Sequence, residues 1–141
     1  MKRGRRSGIR IRNKGSHPEV RSAIVRFAKW LRVEYKFPVR VPVYLYPSPR
    51  IVTRDRALVT ASFFAPWSRR VEPYIRIATG DYKSLRAERG RDNALAAILC
   101  SLAHEVIHYQ TWVATGQIPE RGVARKALEV VRRYSQVVNR P

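Results

Sequence analysis

Acidic residues are scarce in this chain of 141 residues: 10 Asp and Glu face 29 Lys and Arg, which gives a formal net charge of +19. A surplus of that size gives nucleic acid a sequence-independent, salt-sensitive attraction to the protein. Solubility or thermal adaptation explains the same surplus, because the basic residues are spread along the whole chain. The sequence has no zinc-finger spacing, no aromatic motif of an RNA-binding sheet and no Gly-rich phosphate loop. We therefore expect at most non-specific nucleic-acid association.

Cysteine and membrane-spanning apolar runs are missing as well. The single cysteine, Cys100, excludes a disulfide framework, and its apolar neighbours indicate a buried inert thiol rather than a nucleophile, with zinc ligation as the remaining alternative. No uncharged stretch has the flanks of a membrane span, and the basic residues 2–6 are not followed by the apolar stretch of a signal peptide. These absences predict a cytoplasmic protein without a membrane partner.

Apolar periodicity predicts an α+β domain over residues 17–141, preceded by a basic, mobile arm over residues 1–16. The first helix is predicted over residues 18–36. Short β-branched and aromatic runs then predict three strands over residues 41–46, 57–64 and 72–78, forming a small, mostly antiparallel or mixed sheet.

A charged loop over residues 80–91 and two further helices complete the predicted order of elements. The second helix is expected to run from residue 92 or 93 to 114, where Gly116 ends it. The third is expected over residues 119–138, with Pro119 at its first position.

The most specific pattern is His104-Glu105-Val106-Ile107-His108, inside the uncharged run of the second predicted helix. Residues four apart lie on one helical face, so both imidazoles can reach one Zn²⁺. Glu105 then lies beside the metal, where its carboxylate can accept a proton from water that the metal acidifies. The competing interpretation is a pair of core histidines satisfied by backbone and water. Burying a Glu between two buried His carries a desolvation cost that a metal cation would offset, and this favours the metal site.

A third ligand is required, because catalytic zinc takes three protein ligands and keeps one position open. On the last predicted helix Glu120 falls on the apolar face, whose other members are Val123, Ala124, Ala127, Val131, Tyr134 and Val138. Glu129 falls among basic residues on the opposite face, and His17 is remote in sequence. Periodicity therefore favours Glu120 as the ligand, with a first-turn carboxylate stabilised by the helix dipole as the alternative. Tyr109 and Trp112 are interpreted either as core residues or as residues that line the cleft beside the metal site.

The order of helix, small sheet, His-Glu-x-x-His helix and final Glu-bearing helix resembles the zincin metallopeptidases. In its small size and candidate Glu ligand it is similar to the minimal gluzincins, or minigluzincins. The resemblance spans residues 18–138, with residues 104–108 as its specific motif. It implies that His104, His108 and Glu120 bind zinc and that Glu105 is the general base.

The chain departs from that family at the third ligand. Glu120 follows His108 more closely than in typical gluzincins, and Ala124 stands where a downstream Glu-x-x-Ala pattern would place its Glu. The related SprT-like proteases complete their site with a third histidine, but none follows His108.

The resemblance implies a peptide or protein substrate, bound by strand addition to the edge strand of the sheet, for which residues 72–80 are the candidate. The alternatives are a latent zincin-fold binding module, or a basic nucleic-acid-associated protein with a structural metal.

Overall fold

The computed structural model describes residues 7–68 and 70–138. This part of the chain has an α+β fold with four helices, a four-stranded mixed sheet and a separate antiparallel pair of short strands. In chain order the elements are β1 (Ile9–Asn13), α1 (Pro18–Glu34), β2 (Val41–Tyr46), β3 (Ile51–Val52), β4 (Leu58–Val59), β5 (Ala61–Phe64), β6 (Tyr74–Ala78), α2 (Tyr82–Arg89), α3 (Arg91–Thr115) and α4 (Val123–Val137).

The main sheet has the strand order β1-β2-β6-β5. The pairs β1–β2 and β2–β6 are parallel, whereas β5 runs antiparallel to β6. Residues paired across neighbouring strands lie on the same face, and one face is apolar: Ile9 pairs with Val41, Val43 with Ile75, and Leu45 with Ile77. We call this the inner face. The mixed sheet agrees with the prediction, but it has one strand more than expected.

Helices α1 and α3 pack on the inner face of the sheet and enclose the core with it. Helix α1 buries Val20, Ala23, Ile24, Phe27, Ala28 and Leu31. Periodicity predicts all of these except Ala23, and it also predicts Tyr35, which instead lies beyond the end of the helix in an extended conformation. The longer α3 is buried over most of its circumference because its sequence is almost uncharged. Helix α4 then packs against α3 and buries Val123, Ala127, Val130, Val131 and Tyr134. The Tyr134 ring contacts Phe27 and Trp30 of α1.

Two predictions about the basic segments are wrong. The predicted mobile arm contains β1, because Ile9 and Ile11 alternate with arginines and pair with Val41 and Val43; residues 1–6 lie outside the described residues. The predicted charged loop contains α2, which buries only Tyr82 and is mostly polar, so its few apolar residues do not reveal a helix. The predicted strand over residues 57–64 is divided at Thr60 into β4 and β5.

None of the helices in residues 7–68 and 70–138 combines the length and apolarity needed to cross a membrane. The cytoplasmic location stays a prediction.

Glu19 connects the start of α1 to α2 and α3. Its carboxylate accepts a hydrogen bond from the Tyr82 hydroxyl, and lies 3.0 Å from Arg86 and 3.9 Å from Arg91. The hydrogen bond from Tyr82 is the largest cause of the lowered pKa of Glu19, with the charges of Arg86, His17 and Arg91 acting in the same direction against desolvation.

Tyr82→Phe is expected to destabilise the protein more at neutral pH than in acid. The folded protein lowers the pKa of Glu19 below its ordinary value of 4.5, so the stabilisation is present above that pH and is lost as the pH falls below it. Urea unfolding of the unaltered protein and of Tyr82→Phe, at neutral pH and in acid, measures the difference in unfolding free energy. Tyr44→Phe is the control, because the Tyr44 ring contacts Tyr46, Tyr74 and Lys14 instead of a carboxylate. An equal loss of unfolding free energy in Tyr82→Phe at neutral pH and in acid would contradict the role given to its hydrogen bond with Glu19.

Candidate metal centre

His104 and His108 lie one turn apart on α3, with ring centroids 5.1 Å apart and ring planes at 67°. The helical spacing puts both rings on the same face, where the end of α3 approaches the loop that leads to α4. The side chain of His108 is buried at 5% exposure, while that of His104 is 28% exposed. The pair therefore has one ring anchored in the core and one ring open to the surface.

The carboxylate of Glu120 bridges the two histidines. Its Oε1 lies 3.2 Å from Nε2 of His104 and its Oε2 lies 2.7 Å from Nε2 of His108. The ligand atoms of these residues all lie within 4.8 Å of one another, so the three side chains form a group that could hold a metal ion. The sequence-predicted ligand set is thus brought together in space.

The route by which Glu120 reaches the histidines differs from the prediction. Helix α3 ends where Gly116 adopts a left-handed conformation with φ of 80°, and α4 begins only at Val123, after Gly122 with φ of 78°. Glu120 therefore lies in the loop before α4, and not on the inward face or in the first turn of a helix. Ala124, also predicted on that inward face, is exposed.

Glu120 is a largely exposed carboxylate, with 72% of its side chain accessible. Burial acts to raise its pKa, but the hydrogen bond and charge of His108, followed by those of His104, outweigh it and lower the pKa. Glu120 is thus held as an anion in contact with both imidazoles.

Glu105 has the opposite environment. It is 7% exposed, and desolvation is the main cause that raises its pKa to about 8, with the negative charge of Glu120 as the second cause. A buried carboxyl group with so high a pKa takes and releases protons near neutral pH, and a cation beside it would favour its ionised form.

A groove of about 500 Å³ runs between α3 and the edge of the sheet, next to these side chains. His104 and Glu105 line it from α3, and Val59, Thr60 and Ala61 line it from the sheet side. The edge strand at the groove is β5, since the sheet order places β6 between β2 and β5. The prediction that residues 72–80 form the edge strand is therefore wrong. The position of β5 at the groove cannot be predicted from the sequence, because local periodicity carries no information on strand order.

The buried Nδ1 atom of His108 has no hydrogen-bond partner among the described residues. Metal-binding histidines usually donate this second N–H to a carboxylate or carbonyl group, which orients the ring. Here the ring is oriented by its packing in α3 and by Glu120 alone.

Of the remaining predicted candidates, Glu129 and His17 lie away from this group. Glu129 is exposed on α4, as its position among basic residues predicts. His17 caps α1, since its Nδ1 atom accepts a hydrogen bond of 3.0 Å from the Glu19 amide. Cys100 is half-buried and lines the groove; burial raises the pKa of its thiol.

Tyr109 and Trp112 are core residues, with exposures of 0% and 2%. The Tyr109 hydroxyl donates to the carbonyl of Val39 and accepts from the amide of Val39 at 3.0 Å. These bonds hold α3 against the segment that enters β2.

Comparison of the chain with protein-family models, curated protein sequences and solved structures gives no match.

Proposed function

We propose that this protein is a zinc-dependent metallopeptidase with a zincin-like fold, similar to the minimal gluzincins. The observation that carries the proposal is the convergence of His104, His108 and Glu120 beside a groove that also contains Glu105. Each of the four residues has the chemical type that the reaction needs. The fold supports the proposal through an edge strand, β5, that borders the same groove.

The donor set fits a zinc ion. Two imidazole nitrogens and one carboxylate are a known ligand set of catalytic zinc, and a tetrahedral site with bonds of about 2.0 to 2.1 Å places neighbouring ligand atoms about 3.3 Å apart. The distance from Glu120 Oε1 to Nε2 of His104, 3.2 Å, is close to that separation. The distance from Oε2 to Nε2 of His108, 2.7 Å, is that of a hydrogen bond and would have to lengthen when a metal binds. The exposure of Glu120 and His104 leaves the outer side of the site open to a substrate.

A zinc ion held there would supply Lewis acidity, which polarises a carbonyl group and lowers the pKa of a coordinated water to about 7. Glu105 is the general base in this proposal. It follows His104 directly on α3 and faces the groove, so its carboxylate can accept a proton from the attacking water and return it to the leaving amine. Its burial keeps that carboxylate poorly solvated until a cation is present.

Substrate binding is assigned to β5. One side of this strand pairs with β6, and within the described residues no strand pairs with its other side. An extended peptide laid along this free edge would gain main-chain hydrogen bonds with little dependence on its sequence. The adjacent groove would then place one of its peptide bonds near His104 and Glu105.

Zinc binding tests the site directly. The purified chain, stripped with a chelator and reconstituted, is expected to hold about one zinc ion, because catalytic sites of this type hold a single metal. Glu120→Ala should weaken zinc binding at least about 100-fold, since even loss of a residue that only supports a ligand costs about 10- to 100-fold. Metal content by mass spectrometry and competition with a zinc-sensitive dye provide the measurement.

Glu129→Ala is the matched control, because it removes the same charge from an exposed position on α4. Its zinc affinity should equal that of the unaltered chain. Unchanged zinc binding in Glu120→Ala would remove Glu120 from the ligand set, and failure of the unaltered chain to bind zinc would overturn the proposed function.

A further inference from the structure

The sheet face opposite α1 and α3 carries aromatic and basic side chains instead of an apolar core. Strand registers define this outer face, because Arg12 pairs with Tyr44, Tyr44 with Arg76, and Phe64 with Tyr74. Side chains alternate between faces along a strand, so these residues point away from the core. The members of the outer face used below are Arg10, Arg12, Tyr44, Tyr46, Phe64, Tyr74 and Arg76.

Four aromatic rings form a continuous row across three strands. Ring centroids are separated by 6.5 Å between Tyr46 and Tyr44, 6.1 Å between Tyr44 and Tyr74, and 4.9 Å between Tyr74 and Phe64. All four rings are partly exposed. The Phe64 and Tyr74 rings stack on each other with 23° between their planes, and Tyr44 meets Tyr74 edge-on at 74°. The ring surfaces that these contacts leave exposed are where planar groups can stack.

Cations surround the row. The ammonium group of Lys14 lies 5.5 Å from the Tyr44 ring, and the guanidinium group of Arg54 lies 5.8 Å from the Phe64 ring. Arg10, Arg12 and Arg76 project from the strands themselves.

The four strands of the main sheet carry no acidic side chain that could balance these charges. None of the residues in β1, β2, β5 and β6 is Asp or Glu. Within residues 7–68 and 70–138, the cations named above form no salt bridge to a carboxylate. Arg10, Arg12, Lys14 and Arg54 are exposed, so their charge is available to an anionic ligand. Arg76 contributes less, because its Nε atom is buried and its guanidinium group donates a hydrogen bond of 3.4 Å to the Val52 carbonyl.

We propose that this outer face binds single-stranded nucleic acid, with bases stacked on the aromatic row and phosphates contacting the basic side chains around it. Stacking on aromatic rings combined with a positively charged track is the general physics of single-strand recognition, and it tolerates any base sequence. A duplex hides the faces of its bases, so only the electrostatic part of this surface would act on it.

A second copy of the chain fits the surface poorly. Two identical faces brought together would oppose uncompensated cations of the same sign, which is unfavourable across an interface. The surface also lies on the opposite side of the sheet from α3, so binding there is independent of the candidate metal centre and of the proposed peptidase activity.

The aromatic contribution can be tested with the full-length chain and a fluorescein-labelled oligo-deoxythymidine strand, followed by fluorescence anisotropy. The double variant Tyr44→Leu/Tyr74→Leu keeps apolar bulk and removes the stacking surfaces, whereas Tyr44→Phe/Tyr74→Phe keeps both. We expect the leucine variant to bind about tenfold or more weakly and the phenylalanine variant to bind like the unaltered chain. Trp67→Leu is the aromatic control, because Trp67 is 93% exposed but lies outside the strands.

The cationic contribution is tested by the salt dependence of the same binding. Arg10→Gln/Arg12→Gln should reduce the slope of log affinity against log salt by about 1.4, since each phosphate contact on a single strand contributes about 0.7. Arg125→Gln/Lys126→Gln, on exposed positions of α4, removes equal charge away from this face and should leave the slope nearly unchanged.

Three results would overturn the proposal. Equal affinity of the unaltered chain for the single strand and for a duplex of the same length would show general attraction to polyanions. Equal binding by the leucine and phenylalanine variants, with both shown to be folded by circular dichroism, would show that the aromatic row does not contribute to binding. A change from dimer to monomer in the leucine variant, seen by analytical ultracentrifugation without oligonucleotide, would assign the face to self-association.

Discussion

Replacing Glu105 by glutamine is expected to lower the rate of peptide-bond hydrolysis about 10³-fold, which lies within the usual contribution of a positioned general base. Glutamine preserves the size of the side chain but cannot accept the proton. Zinc content should stay the same, because Glu105 is absent from the group of convergent ligand atoms. The protein should also remain folded, since burial already favours the neutral form of Glu105 and the glutamine amide is neutral.

The measurement is the initial rate of cleavage of an unfolded protein such as casein, at equal zinc occupancy of the two proteins. Glu129→Gln is the control for loss of one carboxylate and should retain the full rate. A Glu105→Gln variant that binds zinc and retains most of its activity would contradict the assigned base. Zinc binding without hydrolysis by the unaltered chain would instead support a latent zincin-fold module.

Replacing Gly80 by alanine should destabilise the fold by about 3 kcal/mol or more, the upper range for overpacking a rigid site. A Cβ atom at this position would lie 2.4 Å from the backbone nitrogen of Pro49 and 2.6 Å from the carbonyl oxygen of Pro47. Because these are backbone atoms, no side chain can rotate away. The Gly80 amide also donates a hydrogen bond of 2.8 Å to Ser48, which holds the two segments together.

Urea unfolding gives the difference in unfolding free energy, with Gly116→Ala as the comparison. Gly116 has a positive φ of 80° but nothing within 4 Å of its added Cβ, so its substitution should cost only the conformational strain of about 1 to 2 kcal/mol. A Gly80→Ala effect no larger than that of Gly116→Ala would show that the segment at residues 47–49 moves aside.

The sequence predicts the elements whose apolar pattern is strong. The start of α1 at Pro18, the whole of β2 and the long α3 agree closely with their predicted ranges, because each buries many apolar side chains. Strand β1 and helix α2 bury few apolar side chains, so no local pattern predicts them. Ile9 and Ile11 become a strand only through pairing with β2, which is a long-range contact that no local pattern contains.

The candidate site shows the same division between local and long-range information. The spacing of His104 and His108 brings their rings onto one face through helix geometry alone, so the motif is sufficient for that part. Helical periodicity favours Glu120 by placing it on the inward face of the last predicted helix, but Glu120 reaches the histidines from a loop. The groove beside β5 and the aromatic row on the outer face depend on strand order and register, which no local periodicity contains.

The loop that carries Glu120 links the candidate metal site to the stability of the protein. Glycines in left-handed conformations stand at both ends of this loop, so the chain can pivot at Gly116 and at Gly122. A metal ion bound by His104, His108 and Glu120 would fasten this loop to α3 and thereby hold the start of α4 in place. Part of the binding free energy would be used to order the loop. Zinc affinity and resistance of the loop to proteolysis would then rise and fall together, because both depend on how ordered the loop is. Shortening the loop would therefore change the zinc affinity.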